Sequence, residues 1–334
     1  ASAQILPENV ELESQKKYFV RVKATANGEE TEWAETSFVT GILDNREWKA
    51  VFVSAEEEAD KDNSKGTYVR NEFTVEKPVK EAFVSVTALG LYHFYLNGRK
   101  VGKDELTPGW TSYRKHLCFQ TYEATDYLKE GKNAAGAVLA AGWYKGKMGF
   151  EGLEKRRNHY GENTALLAQM VIRYEDGTED LFVTDENWSG ADAPVVFAEI
   201  YDGEIYDGAK EIKGWAETGC TAGQWKPVRK LDYDFSVLTG QGSGKVSLMD
   251  EVKPREIFET PEGDLVIDFG QNMSALIQVT ATGKKGDVIR LDCFEVLDSE
   301  GNVYLDNLRG AKESLQYTFG EDGTITYRPS FTFM

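Results

Sequence analysis

Asp202, Glu204 and Asp207 fall within YDGEIYDG, residues 201–208, where they alternate with Tyr201 and Tyr206. Two carboxyls facing each other across a substrate, one raised in pKa to give a proton and one ionised to activate water, could hydrolyse an acetal. The chain of 334 residues holds 56 Asp and Glu against 38 Lys and Arg, a formal charge of −18. Such groupings therefore arise from composition alone, and the string reads first as a solvated loop. A second constellation joins flat rings to amides: Trp110, Tyr113, Trp143, Tyr144, Asn158, Tyr160 and Asn163. A pyranose presents apolar C–H faces and hydroxyls, and that pairing of side chains suits both. The two tryptophans would serve equally well to fill the end of a β-sandwich.

Other chemistries lack their residues. No GxxxxGK[ST] phosphate loop or GxSxG nucleophile elbow occurs. His93, His116 and His159 share no short metal-ligand spacing, and Cys118, Cys220 and Cys293 are too far apart for a paired thiolate site or a disulfide framework. Asp60 and Asp62 in DKDNSKG lack the closing glutamate of a calcium loop, so Glu56–Gly66 is expected to be a surface loop without metal. The net charge opposes nucleic acid or an anionic membrane as partner. No apolar run reaches the roughly 18 residues needed to span a bilayer. The start, ASAQILPENVELE, has no signal-peptide regions, which leaves secreted, periplasmic and cytoplasmic locations open.

The elements that would position these residues are strands. Leu91–Leu96 is aromatic and apolar, and Asn97-Gly98 supplies the two positive-φ residues of a tight hairpin. Thr107-Pro108-Gly109 turns the chain into Trp110, and Leu117–Tyr122 and Ala135–Ala141 come next as strands, the latter running into Gly142-Trp143-Tyr144. Arg70–Val75, Glu81–Ala88, Ala165–Tyr174 and Leu181–Thr184 continue the rhythm, with a helical turn only at Ala124–Leu128. Trp188, Trp215 and Trp225 read as packing. Near the start, Tyr18, Val20 and Val22 alternate with Phe19, Arg21 and Lys23, and Trp33 and Phe38 are the expected core anchors. A glycine-rich stretch at Gly240–Gly244 marks a boundary, beyond which Leu265–Phe269, Ala275–Ala281 and Val288–Val296 are strands. Phe331–Phe333 is expected to be a strand with an unpaired edge.

The strings LNGRKVGKDELTPGWTSY, DYLKEGKN, GWYKGKMGF and YDGEIYDG resemble, in order, the N-terminal sandwich of bacterial α-L-rhamnosidases, glycoside hydrolase family 78. FEVLDSEGNVYLDNLRGAKESLQY, from Phe294, resembles a second sandwich of that family. The resemblance implies an all-β chain of tandem antiparallel sandwiches of the jelly-roll or galactose-binding kind: a partial fibronectin type III-like segment at 1–41, a sandwich at 42–246 and a second, truncated one at 247–334. It implies a rhamnose-containing carbohydrate and the chain's own catalytic barrel as partners. The barrel would carry the acid and base, so this portion alone is expected to be inactive, with no catalytic residue of its own. Asp202, Glu204, Tyr206 and Asp207 would then form a lip facing the barrel. Some relatives hold rhamnose through calcium, but Ser112-Tyr113 stand after Gly109-Trp110-Thr111 here in place of an acid and an amide, which argues against a metal cofactor.

Overall fold

The computed structural model describes residues 10–56, 63–148, 157–242 and 244–334. It is all-β, with Gly142–Lys145 the one α-helix among the described residues. Two sheets form the main sandwich. One runs in the order Arg229–Leu231, Phe52–Ser54, Ala165–Tyr174, Val79–Leu89, Leu117–Glu123, Leu238–Gly240, with Glu179–Val183 also paired to Ala165–Tyr174. The other runs Lys226–Pro227, Ser189–Asp192, Thr67–Val75, Gly131–Ala140, Leu91–Leu96, Arg99–Lys100. Val84, Val86, Leu166 and Met170 of the first sheet meet Tyr92, Phe94, Leu96, Ala137 and Leu139 of the second in one core. Among the described residues, pairing is antiparallel except where Leu117–Phe119 meets Leu238–Gly240 and Gly203–Asp207 meets Ser314–Thr318.

The hairpin at Asn97-Gly98 is as expected, with φ of 49° and 79°, and the helical turn appears as a 3-10 turn at Thr125–Tyr127. Leu91–Leu96 is apolar on both faces because both faces are covered. Its outward residues Leu91, His93 and Tyr95 meet a second core of Val195, Ala198, Ile200 and Phe331, the ring of Phe331 and the indole of Trp215, respectively.

That outer layer ties the sandwich to the C-terminal strands. Val195–Glu199 and Gly203–Asp207 lie in a four-stranded sheet with Ser314–Thr318 and Val288–Asp292. Val279–Gly283 and Gly323–Tyr327 form a two-stranded partner, and Leu315, Tyr317, Phe319 and Tyr327 fill the space with Ile277, Ala281 and Ile325. The strand expected at Ala275–Ala281 starts later, since Ala275 exchanges backbone hydrogen bonds with Met334 and the regular ladder begins at Val279. Phe331–Phe333 is not a strand. Phe331 and Thr332 are buried, Phe331 as part of the second core.

The N-terminal segment departs further from expectation. Lys17–Val22 pairs with Ala34–Val39, and Thr25–Ala26 with Glu29–Glu30 around Asn27-Gly28. Trp33 and Phe38 are not core anchors, being 52% and 42% exposed. A two-stranded hairpin has no second layer to cover either face, so Trp33 lies under Arg21 and Lys23, and Phe38 stacks on Tyr18. Its attachment is polar: buried Gln15 donates to Phe83 O, Ser85 Oγ and Gln169 O.

Candidate functional site

The aromatic residues singled out in the sequence are brought together at one end of the main sandwich. Gly109, at φ 91°, turns the chain after Pro108 and releases Trp110 outward. Trp110 is 55% exposed, and its ring lies parallel to Trp143, with centroids 6.1 Å apart and planes 10° apart. Its indole N–H donates weakly to Tyr160 Oη at 3.4 Å. Successive residues of a helix point about 100° apart, so the short helix sends Trp143 to this surface and Tyr144 inward. Two expected sugar contacts therefore fail. Tyr113 is 0% exposed and Tyr144 is buried, so neither offers a face to a ligand.

Both tyrosines instead support the platform. Tyr113 donates to Gly109 O at 3.1 Å and packs edge-on against Tyr144 and obliquely on Tyr160. Burial pushes both phenols well above their ordinary pKa, so they stay neutral. Gly161 is required where it is, because a Cβ there would lie 2.1 Å from Tyr144 Oη. Asn158, at φ 58°, donates its backbone N–H to Lys145 O, and Tyr160 N–H bonds to Tyr144 O. Asn163 is half-buried, and its side-chain oxygen accepts from Arg229 at 2.8 Å.

Beneath this surface lies a charged underlayer that sequence reasoning missed. Lys145 and Glu56, both buried, pair at 2.7 Å, and the second Glu56 oxygen accepts from Thr164 N. Glu199 accepts from Arg157, Ser64 and the backbone of Lys147. Lys147 Nζ reaches Asp202 at 3.1 Å and Gly310 O at 2.8 Å. The expected surface loop Glu56–Gly66 is thus buried and engaged at Glu56 and Ser64. Asp60 and Asp62 lie outside the described residues. Only the KGK of GWYKGKMGF signals this layer, and nothing in the string distinguishes a buried lysine from a solvated one.

The acids and tyrosines of YDGEIYDG are engaged within the fold. Asp202 is buried against Lys147. Glu204 is 1% exposed and accepts from Tyr327 Oη at 3.1 Å and from the N–H groups of Ser330 and Phe331 at 3.0 Å each. Burial raises its pKa to about 7 despite those donors. Tyr206 stacks on Tyr317 and donates to Glu211 at 2.6 Å, and Asp207 caps Ala209 N. A second buried carboxylate, Glu105, holds the same C-terminal segment through Arg328 at 3.1 Å. Although burial opposes it, contacts with His93 and Lys100 hold Glu105 down at about 2. Among the described residues, no three His, Cys, Asp or Glu side chains gather as a metal site.

Residues 77–250 match the family model described as the α-L-rhamnosidase N-terminal domain, and 258–334 the bacterial α-L-rhamnosidase concanavalin-like domain. The chain belongs to the α-L-rhamnosidase family. An α-L-rhamnosidase of Alteromonas sp. is 32% identical over 96% of this chain and 35% of its own length. The crystal structure of native α-L-rhamnosidase from Aspergillus terreus matches 96% of this chain and 38% of that one, with TM-score 0.93 and 33% identity. That of the Streptomyces avermitilis α-L-rhamnosidase complexed with L-rhamnose matches 81% of this chain and 26% of that one, with TM-score 0.77 and 40% identity. The chain thus spans between about a quarter and two fifths of the length of these rhamnosidases.

The platform loops and YDGEIYDG all lie within residues 77–250, the part that matches the N-terminal domain model. What the strings do not reveal is which of their side chains face solvent.

Proposed function

We propose that this chain is a non-catalytic β-sandwich region of an α-L-rhamnosidase, bracing the catalytic barrel and binding rhamnose-containing carbohydrate at the Trp110 end of the sandwich. One observation carries the binding: an exposed indole held parallel to a second, with a tyrosine hydroxyl at its N–H. The binding residues are Trp110 with Trp143, Tyr160, Asn158 and Asn163 at its edge. The relative that carries L-rhamnose in its crystal structure is consistent with a rhamnosyl ligand. The working division is 1–41, 42–246 and 247–334, with the first segment fibronectin-like. The gap between the two family matches, 250 to 258, supports the second boundary, while the sheet joining 195–207 to 314–318 makes the two sandwiches one mechanical unit.

A purely structural scaffold is the second reading, favoured by the engagement of every carboxylate in the proposed lip. Calorimetric titration with L-rhamnose separates the two. An exposed site for one ring predicts a dissociation constant on the order of 0.1 to 1 mM. Trp110→Ala should weaken binding by at least about tenfold, while an aryl α-L-rhamnoside should remain unhydrolysed. Absence of heat at several millimolar sugar would leave the scaffold. Turnover lost on Asp202→Ala or Glu204→Ala, in protein that stays folded, would make the chain an enzyme.

A further inference from the structure

The platform is not electrically neutral. The turn that begins at Trp110, WTSYRKH, has two cations and no acid in a chain of charge −18. Its geometry aims them outward. Buried Tyr113 is the pin, Lys115 N and His116 N both close onto Ser112 O, and Thr111 Oγ1 bonds to His116 O. Ser112, Arg114, Lys115 and His116 are left exposed around it. Arg114 donates from one guanidinium nitrogen to His159 O at 2.8 Å. That bond lays it along the loop whose Tyr160 meets Trp110. No carboxylate pairs with Arg114 or Lys115 among the described residues. Asp234, which like Arg114 acts on the Tyr233 hydroxyl, accepts from Ser236 N.

Resting on the sugar-platform reading, we infer that the carbohydrate taken here carries a carboxylate: a rhamnosyl unit next to a uronic acid. The ring would stack on Trp110 while the neighbouring carboxylate meets the open edge of the Arg114 guanidinium, a planar fork that matches its two oxygens, with Lys115 adding charge. The chain's overall negative charge does not forbid this. At physiological ionic strength a charge is felt over roughly 8 Å, so the sign of the turn decides, and not the sign of the whole surface.

The test compares three probes on the whole chain by calorimetry at 0.15 M salt: L-rhamnose, α-L-rhamnosyl-glucuronic acid, and the neutral methyl ester of that disaccharide. The acid should bind about fivefold more tightly than its ester, the size expected of an exposed but fork-matched ion pair. Salt at about 1 M, Arg114→Gln or Lys115→Gln should each narrow that difference. Acid and ester binding equally well to the unaltered protein would overturn the inference and leave the platform standing. No binding of any of the three would overturn both.

Discussion

WTSYRKH and YDGEIYDG look alike as strings, each alternating aromatic with charged or polar residues, yet the fold treats them oppositely. In the second, Asp202, Glu204, Tyr206 and Asp207 all have partners within the protein. In the first, one tyrosine is driven inward and an indole and two cations are turned out. The contrast teaches that residue type alone does not mark a ligand site. What marks it is polar or aromatic surface left over after the fold has met its own hydrogen-bonding needs. By that measure YDGEIYDG is a joint and WTSYRKH is a surface.

Removing a ring from each region should separate them most sharply. Phe331→Ala takes a fully buried ring from the joint and should cost about 3 to 5 kcal/mol of stability in urea unfolding. Trp110→Ala should cost less than about 1 kcal/mol. Equal losses would erase the distinction. Lys145→Ala under the platform should resemble the joint and not the surface, at about 3 to 5 kcal/mol, because it strands a buried Glu56 carboxylate. A loss under about 1 kcal/mol would show that water reaches that pair.

The joint should also be sensitive to pH. Glu204 is raised from 4.5 to about 7 in the folded protein, so the native state holds a proton there that the unfolded chain has released. Its stabilising contribution is complete below pH 4.5 and is lost as pH rises to about 7, by roughly 3 kcal/mol at 1.36 kcal/mol per unit. Glu204→Gln cannot ionise, so the variant should gain on the native protein across that window and hold a constant difference above it. Parallel stability curves from about pH 4 to 8 would mean that the Tyr327, Ser330 and Phe331 donors fully offset the burial.

How much of this is legible in the sequence can be read from particular elements. Leu91–Leu96 and Ala165–Tyr174 are legible to the residue, because a strand covered on both faces is mostly apolar and bounded by turns. The hairpin at Lys17–Val39 shows the limit of the same signal. Its alternation is genuine, but alternation says which residues share a face and not whether anything covers that face. The site is half legible for a related reason. Trp110, Trp143 and Tyr160 do converge, but Tyr113 and Tyr144 lie beneath them, and inside from outside is decided by the turn at Gly109 and a four-residue helix that carries no sequence period. Glu56, Lys145 and Glu199 are invisible, since their pairing joins segments some 90 residues apart or sits beside a loop that reads as polar.

The smallest expected effect tests how tightly the surface is organised. Tyr113→Phe removes a buried donor to Gly109 O and should cost about 1 kcal/mol, the usual worth of one internal hydrogen bond. Tyr160→Phe removes only the acceptor of the 3.4 Å contact with the exposed Trp110 N–H, a group that water can serve equally well. Its stability should change by less than about 0.5 kcal/mol. The Trp110 indole N–H resonance should nevertheless shift and exchange faster with solvent, since its Tyr160 partner is gone, while the Trp188 indole, buried and bonded to Val183 O at 2.9 Å, should not move. If both variants cost the same, the rings of the platform share one rigid layer with the core, and the line drawn between joint and surface falls further out than Trp110.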